Sequence, residues 1–595
     1  MKKNNPIINY TSRDFQSIKR DLVQYAKTYY SDSFKDFSEA GIGSILIDMV
    51  AYTGDSLSFY LDYESNENQL DYAIEIDNII KKGKTLGYKH NPTSTSNGIC
   101  AFYVEVPITS GISLAPDSAY IPILKRGTEL SSTSGSRFIL SEDIDFSADG
   151  VEVVVAQQNS TTGEPETYAM KSYGQVISGT IDQESFEIGE FTPFQKVELS
   201  QSSVAEILEV RDLEGNVYYE VENLAQDVVY RSVTNRASDV AEVLKPYVVP
   251  RRFVMEYRGG VPYLIFGASS LVEIPEDELA DPSKVISRKF GNTVFSKDTF
   301  DPAKLIESDY FGVGPSNTTI TVTYRTSASS NINASQGTVT SVVNPIVEFR
   351  DRTTLSESTI TDIISSIECE NEENIVGQVI EITPENLKRR IQSEFSSQNR
   401  AVNSKDYEGL CYAMPNKFGS VKRVRAIRDV NSLRNNLNLY VVSENSNGNL
   451  VQSGDVLKNN IKNWILPRKM ITDTVDILDA YIVNIGIEFI VVSKSNISKY
   501  QTLSNCYSRL RDKLLVTPEI GEPFMITDIY NFLKEAEGVL DVVKVDIVQK
   551  KGGLYSDTSY NLRKNTSPDG TMITFPRNVI WELKYVDADI NGAVR

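Results

Sequence analysis

Histidine is almost missing from this chain: His90 is the single one among 595 residues. Zinc sites gather several His or Cys ligands and nucleophilic triads need a His base, so the scarcity removes most hydrolase, zinc and haem chemistries. Cysteine is nearly as rare. Cys100, Cys369, Cys411 and Cys506 lie far apart without a CxxC pair, and read as reduced, buried thiols rather than a disulfide or zinc framework. The two tryptophans, Trp464 and Trp581, fall in amphipathic segments rather than in an aromatic cleft. No run of about 18 apolar residues occurs, so no membrane span is expected. The most apolar helical stretch, Ile45 to Leu61, is interrupted by Asp48 and Asp55. The opening Met1-Lys2-Lys3-Asn4-Asn5-Pro6 lacks an apolar region, so no secretory signal is expected and folding in a cytosol follows. Positive charge is also short. A net charge of −20 argues against general nucleic-acid affinity.

What is present is an ordinary globular balance, 40% hydrophobic and 24% charged. A chain of this length suggests about four domains. Charge is unevenly spread. Residues 139–229 hold 19 acidic and 3 basic side chains, while residues 383–428 hold 10 basic and 4 acidic ones. Two solvated faces would explain this. Opposite patches that steer assembly between copies or partners would explain it too.

The N-terminal pattern is helical. Thr11 with Asp14 forms a capping pattern, and Phe15, Ile18, Leu22, Tyr25 and Tyr29 recur on one face. After Gly41-Ile42-Gly43, Ser44 is placed to cap a second helix with Ile45, Met49, Tyr52 and Tyr60 on its inner side. A third helix is expected from Leu70 to Leu86, stopping at Gly87. These helices form a bundle, and the face Phe15, Ile18, Leu22 and Tyr25 is equally suited to a partner's helix. From Asn97 to about Arg350 short strands take over, such as Ile99 to Val106, Val151 to Ala156 and Ile320 to Tyr324. Thr383 with Pro384 opens a helix carrying Leu387, Ile391 and Phe395. Asn403, with Asp406 three residues on, opens another that buries Tyr407, Leu410, Cys411 and Met414 and stops at Pro415. Beyond Val421 strands and helices alternate, with a long strand around Val475 to Val492.

The fold expected is multidomain α+β. It comprises an N-terminal helical bundle (1–95) and central β-sandwich-like domains (96–146 and 227–350) with an inserted acidic β-domain (147–226). A helical segment (351–425) and C-terminal mixed α/β domains (426–595) complete it.

Motifs that could carry chemistry fail on inspection. Gly83-Lys84-Thr85 resembles the end of a phosphate loop, but Asn78 stands where an earlier glycine is needed and the triplet ends a helix. Gly312-Val313-Gly314 precedes a strand, Asn317 takes the third glycine's place and no helix follows, so a turn between strands is expected. Asp587, Asp589, Asn591 and Gly592 open like a calcium loop without its final Glu, and Asp143, Asp145 and Ser147 lack the turn glycine. His90 lies in the polar turn Gly87 to Pro92. Lys388, Arg389, Arg390, Lys422, Arg423 and Arg425 are basic, but carboxylates are interleaved and no stacking aromatics accompany them. Among 80 carboxylates a glycosidase-type pair stays open, which keeps a wall-degrading enzyme as the alternative class.

The stretch Asn399-Arg400-Ala401-Val402-Asn403-Ser404-Lys405-Asp406-Tyr407-Glu408 resembles the RxVTxxDYE signature of the baseplate J-like family. Ala413-Met414-Pro415 and Val421 to Val424 continue the likeness, as do Phe311-Gly312-Val313-Gly314-Pro315 with Thr321 to Arg325 upstream. Ile47 to Tyr52, Asn66-Glu67-Asn68 and Gly83 to Tyr88 resemble its N-terminal helices. Asn403 replaces the usual Thr, and Ser and Ala stand between Arg325 and Asn331 where glycines are usual.

The resemblance implies a structural, non-catalytic virion protein at the distal end of a contractile tail, without cofactor or metal. It implies a dimer within each baseplate wedge, formed through the C-terminal parts, and a ring between wedges around the hub. N-terminal helices would bundle with another wedge protein, with the sheath-initiating protein as a further neighbour. No nucleic-acid or membrane partner is implied. A phage-derived injection machine would use the same architecture. Gly312, Gly314, Tyr324, Arg400, Asp406, Tyr407 and Pro415 then mark a fold-organising motif, in which Asp406 favours the helix dipole and Arg400 is placed to pair with it.

Overall fold

The computed structural model describes residues 14–29, 41–89, 93–109, 115–148, 150–159, 164–234, 242–269, 311–327, 332–379, 383–429, 436–495, 497–514 and 517–595. Thr11, His90 and residues 328–331 lie outside them. The principal helices are α1 (Phe15–Tyr29), α2 (Ile42–Glu67), α3 (Ile76–Thr85), α4 (Glu357–Ser365), α5 (Pro384–Ser397), α6 (Ser404–Tyr412), α7 (Asp455–Ile465), α8 (Lys499–Leu514) and α9 (Ile526–Glu535). The chain is mixed α and β, and divides into two compact units, Met1–His90 with Glu381–Gln398, and Asn91–Ile380 with Asn399–Arg595.

The smaller unit is helical. Its core holds Ala73, Ile79, Tyr88, Leu387 and Ile391, so α5 packs on α3 although some 300 residues separate them in the chain. Gly83 permits the close approach, since a Cβ there would sit 2.8 Å from Ile391 Cδ1. Thr383 caps α5 by accepting from Asn386 N, as the sequence suggests, while Phe395 is exposed. The third helix starts later than Leu70 because the Glu67 carboxylate accepts from Ile74 N at 2.7 Å and from Asn78 Nδ2 at 3.0 Å, which fixes a turn first. Ser44 caps nothing: α2 begins after Gly41, and Ser44 is buried within it.

In the larger unit, a seven-stranded sheet runs Val339–Asn344, Glu129–Ser132, Arg137–Leu140, Pro165–Ser178, Asn97–Pro107, Glu368–Glu370, with Glu152–Gln158 also on Pro165–Ser178. Its core contains Phe102, Val104, Phe138 and Phe146, with Ile360 and Ile363 of α4 among them. A second seven-stranded sheet runs Thr180–Ile188, Thr318–Thr326, Val204–Asp212, Val217–Glu220, Arg252–Arg258, Val261–Phe266, Lys196–Glu198. It curls around Phe253, Phe266, Ile320, Val322 and Tyr324, and Ser200 N donates to Glu184 at 3.2 Å between its two edges. Residues 147–226 therefore do not stand apart as an inserted domain. Pro165–Ser178 pairs along Asn97–Pro107, and Gly179 alone separates it from Thr180–Ile188 in the second sheet.

Two smaller mixed sheets follow. Asn436–Glu444 pairs with Arg423–Arg428 and, in parallel, with Thr474–Asp479. Tyr481–Ser493 pairs with Val539–Lys550, Val579–Glu582 and Ile590–Val594, backed by α8 and α9. The long strand expected over Val475 to Val492 is thus two strands of different sheets joined at Ala480. Glu582 ties these sheets together. Its buried carboxylate accepts from Leu450 N at 2.6 Å and from Asn484 Nδ2 at 2.7 Å. Burial raises its pKa above the ordinary 4.5 despite those bonds and nearby Lys584. A folded-state pKa above the unfolded one means that the group's favourable contribution is complete below pH 4.5 and is lost as pH rises through the raised value. Glu582→Gln does not titrate, so its melting temperature relative to wild type is expected to be higher at pH 7.5 than at pH 4. Equal offsets at both pH values would contradict this.

Candidate functional site

The signature segment builds a corner in which each of three adjacent side chains fastens a different element. Asn403 caps α6, accepting from Lys405 N at 2.8 Å and Asp406 N at 3.1 Å, and Asp406 returns the bond by accepting from Asn403 N at 3.1 Å. The Asp406 carboxylate also takes Val402 N. It serves the chain's own amides, and Arg400, which the sequence suggests as its partner, is exposed. Tyr407 is buried and donates its hydroxyl to Asp473 at 2.8 Å. Burial, with Asp473 beside it, pushes the phenol up to about 12. Glu408 accepts from Ala426 N at 3.1 Å and so holds strand Arg423–Arg428. Pro415 lies just past α6 and precedes the turn Asn416–Phe418.

The bonds of Asp473 and Glu408 are what sequence reading missed, because both partners are distant in the chain. Tyr407→Ala removes a buried ring from the core of Leu410, Cys411, Val424 and Leu457, and is expected to cost about 3–5 kcal/mol. Tyr407→Phe removes only the hydroxyl and is expected to cost about 1 kcal/mol. Trp464 packs on the same core, so its fluorescence during urea unfolding reports both. An unchanged midpoint for the alanine variant would refute the role.

Gly312 and Gly314 form a backbone crossing more than a loose turn. Gly312 has φ +81°, and a Cβ there would meet Arg252 Cγ at 2.7 Å. A Cβ on Gly314 would meet Gly267 O at 2.8 Å. Buried Arg252 fills the space behind, donating to Leu224 O at 2.7 Å and Val249 O at 2.9 Å. Tyr324 points into the second sheet's core and donates its hydroxyl to Glu184. These residues organise backbone and core, and they do not converge with the α6 corner on a cleft.

In the helical unit, the suggested face Phe15, Ile18, Leu22 and Tyr25 is divided. Ile18 abuts Gly54 of α2, Phe15, Ile18 and Leu22 are half-buried, and Tyr25 is exposed. The larger bare surface belongs to α2, and it corrects the inner face expected for that helix. Ile45, Met49, Tyr52 and Tyr60 point outward, as do Ile42, Leu46 and Phe59; Met49 is 62% and Tyr52 68% exposed. Ser44 and Ala51 are buried instead, and Gly54 lets Ile18 of α1 come close. Ile42, Ile45, Met49, Tyr52, Ser56 and Phe59 follow the alternating three- and four-residue spacing of a coiled-coil seam. At about 1.5 Å per residue the helix is roughly 39 Å long. Exposed apolar stripes of this length are the kind of surface that helix-in-groove contacts use.

The remaining motifs are internally engaged. Asp589 is buried and accepts from Tyr555 Oη at 2.7 Å and Tyr585 N at 2.8 Å, while Asn591 lies in a paired strand, so no calcium loop forms there. Asp143 pairs with Lys125 and Asp145 with Arg350. Of the basic cluster, Lys422 meets buried Glu444 at 2.7 Å, Arg423 donates to Thr517 O at 2.7 Å, and Lys388 donates to Asp71 O at 2.9 Å. All four thiols are buried, which pushes each above its ordinary pKa. Among the described residues no helix is long and apolar enough to cross a membrane, and no group of three His, Cys, Asp or Glu side chains is placed to hold a metal ion.

No protein-family model matches this chain, and no curated protein does. Among solved structures it is similar to a chain of the anti-feeding prophage baseplate, a six-fold symmetrised cryo-EM structure. The identity is 9%, the alignment covers 94% of this chain and 89% of that one, and the TM-score is 0.26.

Proposed function

We propose that this chain is a structural, non-catalytic baseplate protein of a contractile tail, and that it works by binding copies of itself and neighbouring baseplate proteins. The observation that carries the assembly role is the outward apolar seam of α2, which leaves Ile42, Ile45, Met49, Tyr52 and Phe59 in water until another helix covers them. The tail assignment rests on the ordered motifs around Gly312, Asp406 and Tyr407. Their order resembles in particular that of the larger baseplate wedge protein of T-even-type contractile phages. In this reading, contacts between copies form a ring around the hub and hold the loaded state. Receptor engagement biases those contacts towards a second arrangement, which triggers sheath contraction. The energy of contraction comes from the sheath. Other wedge proteins supply the helices that cover α2, and the capped α6 corner keeps the ring-forming part rigid.

The test is location. Gold-labelled antibody against this chain is expected to cluster at the distal end of purified tail particles in electron micrographs. Particles without label would refute the reading and reopen the search for a carboxylate pair acting on the cell wall.

A further inference from the structure

The strand Glu152–Gln158 is an open edge of the first sheet. It pairs along Pro165–Ser178 on one side, and among the described residues no strand lies on its other side. All seven of its residues are exposed. Natural proteins ordinarily blunt such edges with charged side chains, lysine above all, or with proline. The edge strand Val539–Lys550 is guarded in that way, by exposed Asp541, Lys544 and Asp546. Glu152–Gln158 has no proline and no basic residue, and its one charge, Glu152, stands at its start. What it presents is Val153, Val154 and Val155, which are 44%, 65% and 36% exposed.

These valines continue a buried face. Val153 lies opposite Met170 and Val155 opposite Tyr168, and those two lie opposite Val104 and Val106. Met170, Val104 and Val106 belong to the core, and Val151, just before the strand, packs against it. Side chains alternate along a strand, so Val151, Val153 and Val155 carry that core face out to the open edge. We propose that this edge pairs antiparallel with the same edge of a second copy, so that one sheet runs through both. The sequence suits itself as the occupant. Backbone groups point to alternate sides of a strand, so an identical antiparallel partner can match a residue only with one an even number of positions away. Pairing with Pro165–Ser178 is regular from Glu152 to Val155 and shifts after it. Centring on Val153 keeps every pair ahead of that irregularity: Val153 meets its counterpart, Val151 meets Val155, and Glu152 meets Val154. The three valines of each copy then join on the core face, and no charge stands opposite a like charge. The contact is isologous and joins copies in twos. The inference rests on the self-associating role given above and names a surface for it, apart from any contact of the C-terminal parts.

Cysteine pairing in the purified full-length chain tests both contact and register. The four native thiols are buried, so wild type is expected to stay monomeric on a non-reducing gel after treatment with oxidised glutathione. Val153→Cys is expected to give a covalent dimer, because its two thiols face each other. Val155→Cys alone is expected not to, since its two copies lie four positions, roughly 13 Å, apart along the strands. Mixed with Val151→Cys it is expected to cross-link. In sedimentation velocity, Val153→Lys sets two like charges opposite each other and is expected to associate at least about 10-fold more weakly than wild type. A monomeric Val153→Cys, cross-linking of Val155→Cys alone at the same level, or a Val153→Lys that associates like wild type would each overturn the pairing. An edge kept for a different baseplate protein would show as the first of these. If gold label still marks the tail end in that case, only this contact falls; label absent from particles removes the structural reading itself.

Discussion

Gly179→Val is expected to destabilise the larger unit by more than about 4 kcal/mol, a large part of the 5–15 kcal/mol that ordinarily separates folded from unfolded chains. Two effects combine. The residue has φ +126°, a region that β-branched side chains avoid. A Cβ there would also sit 2.1 Å from Thr326 O and 3.1 Å from Arg325 Cγ, with nothing flexible to give way. Thr326 is fixed by pairing with Thr180. Arg325 is buried and donates to Ser178 O at 2.6 Å, so any retreat exposes or strands a guanidinium. Gly135→Val is the control, since Gly135 has φ +87° with nothing within 4 Å of its added Cβ. It should show backbone strain alone, about 1–3 kcal/mol. Urea midpoints and soluble yields of the two variants measure the difference, and equal midpoints would show that the crossing at Gly179 tolerates a side chain.

Met49→Asp is expected to leave the fold intact and abolish incorporation into particles. The position is 62% exposed, and surface changes of that kind usually alter stability by no more than about 0.5 kcal/mol. In an assembled seam the same carboxylate would be buried against apolar side chains, which lowers affinity by more than about 100-fold. Leu22→Asp on α1 makes the contrast. Leu22 is half-buried in the unassembled chain, so its change should lower helix content as well as assembly. Circular dichroism and counts of labelled particles separate the two outcomes. Met49→Asp particles labelled at the wild-type level would end the case for α2 as the docking helix.

What the sequence discloses here is mostly local. The α6 cap is legible because Asn403 and Asp406 are three residues apart and satisfy each other. Thr383-Pro384 marks the start of α5 because Thr383 accepts from Asn386 N and Pro384 suits the first helical position. Which side of a helix is wet is not local. The stripe of Ile45, Met49 and Tyr52 reads as an inner face by periodicity, yet it is Ser44 and Ala51 that are buried, with Gly54 against Ile18 of α1. An apolar stripe announces a contact without saying whether the chain itself supplies it. Residues 147–226 look separable by their charge, but charge belongs to the surface, whereas pairing of Pro165–Ser178 with Asn97–Pro107 is set by backbone register and the core beneath. Gly179 carries no mark in the sequence, though it joins Pro165–Ser178 in one sheet to Thr180–Ile188 in the other. The partners of Tyr407 and Glu408, Asp473 and Ala426, depend on a tertiary fold that no local spacing encodes.

The passage of the chain through Ala480 has a mechanical side. Thr474–Asp479 and Tyr481–Ser493 are one backbone anchored in two sheets, so tension along it reaches both anchorages without crossing a loop. Tyr481–Ser493 is flanked on both edges, by Val539–Lys550 on one and by Val579–Glu582 and Ile590–Val594 on the other. Pulling along such a strand loads many interstrand bonds together in shear, whereas a hairpin pulled open at its end yields one bond after another. Forced unfolding is governed by the unfolding rate rather than by equilibrium stability, and shear loading keeps that rate low. A chain threaded this way is expected to act as a stiff link, carrying displacement from one sheet to the other instead of dissipating it by unravelling.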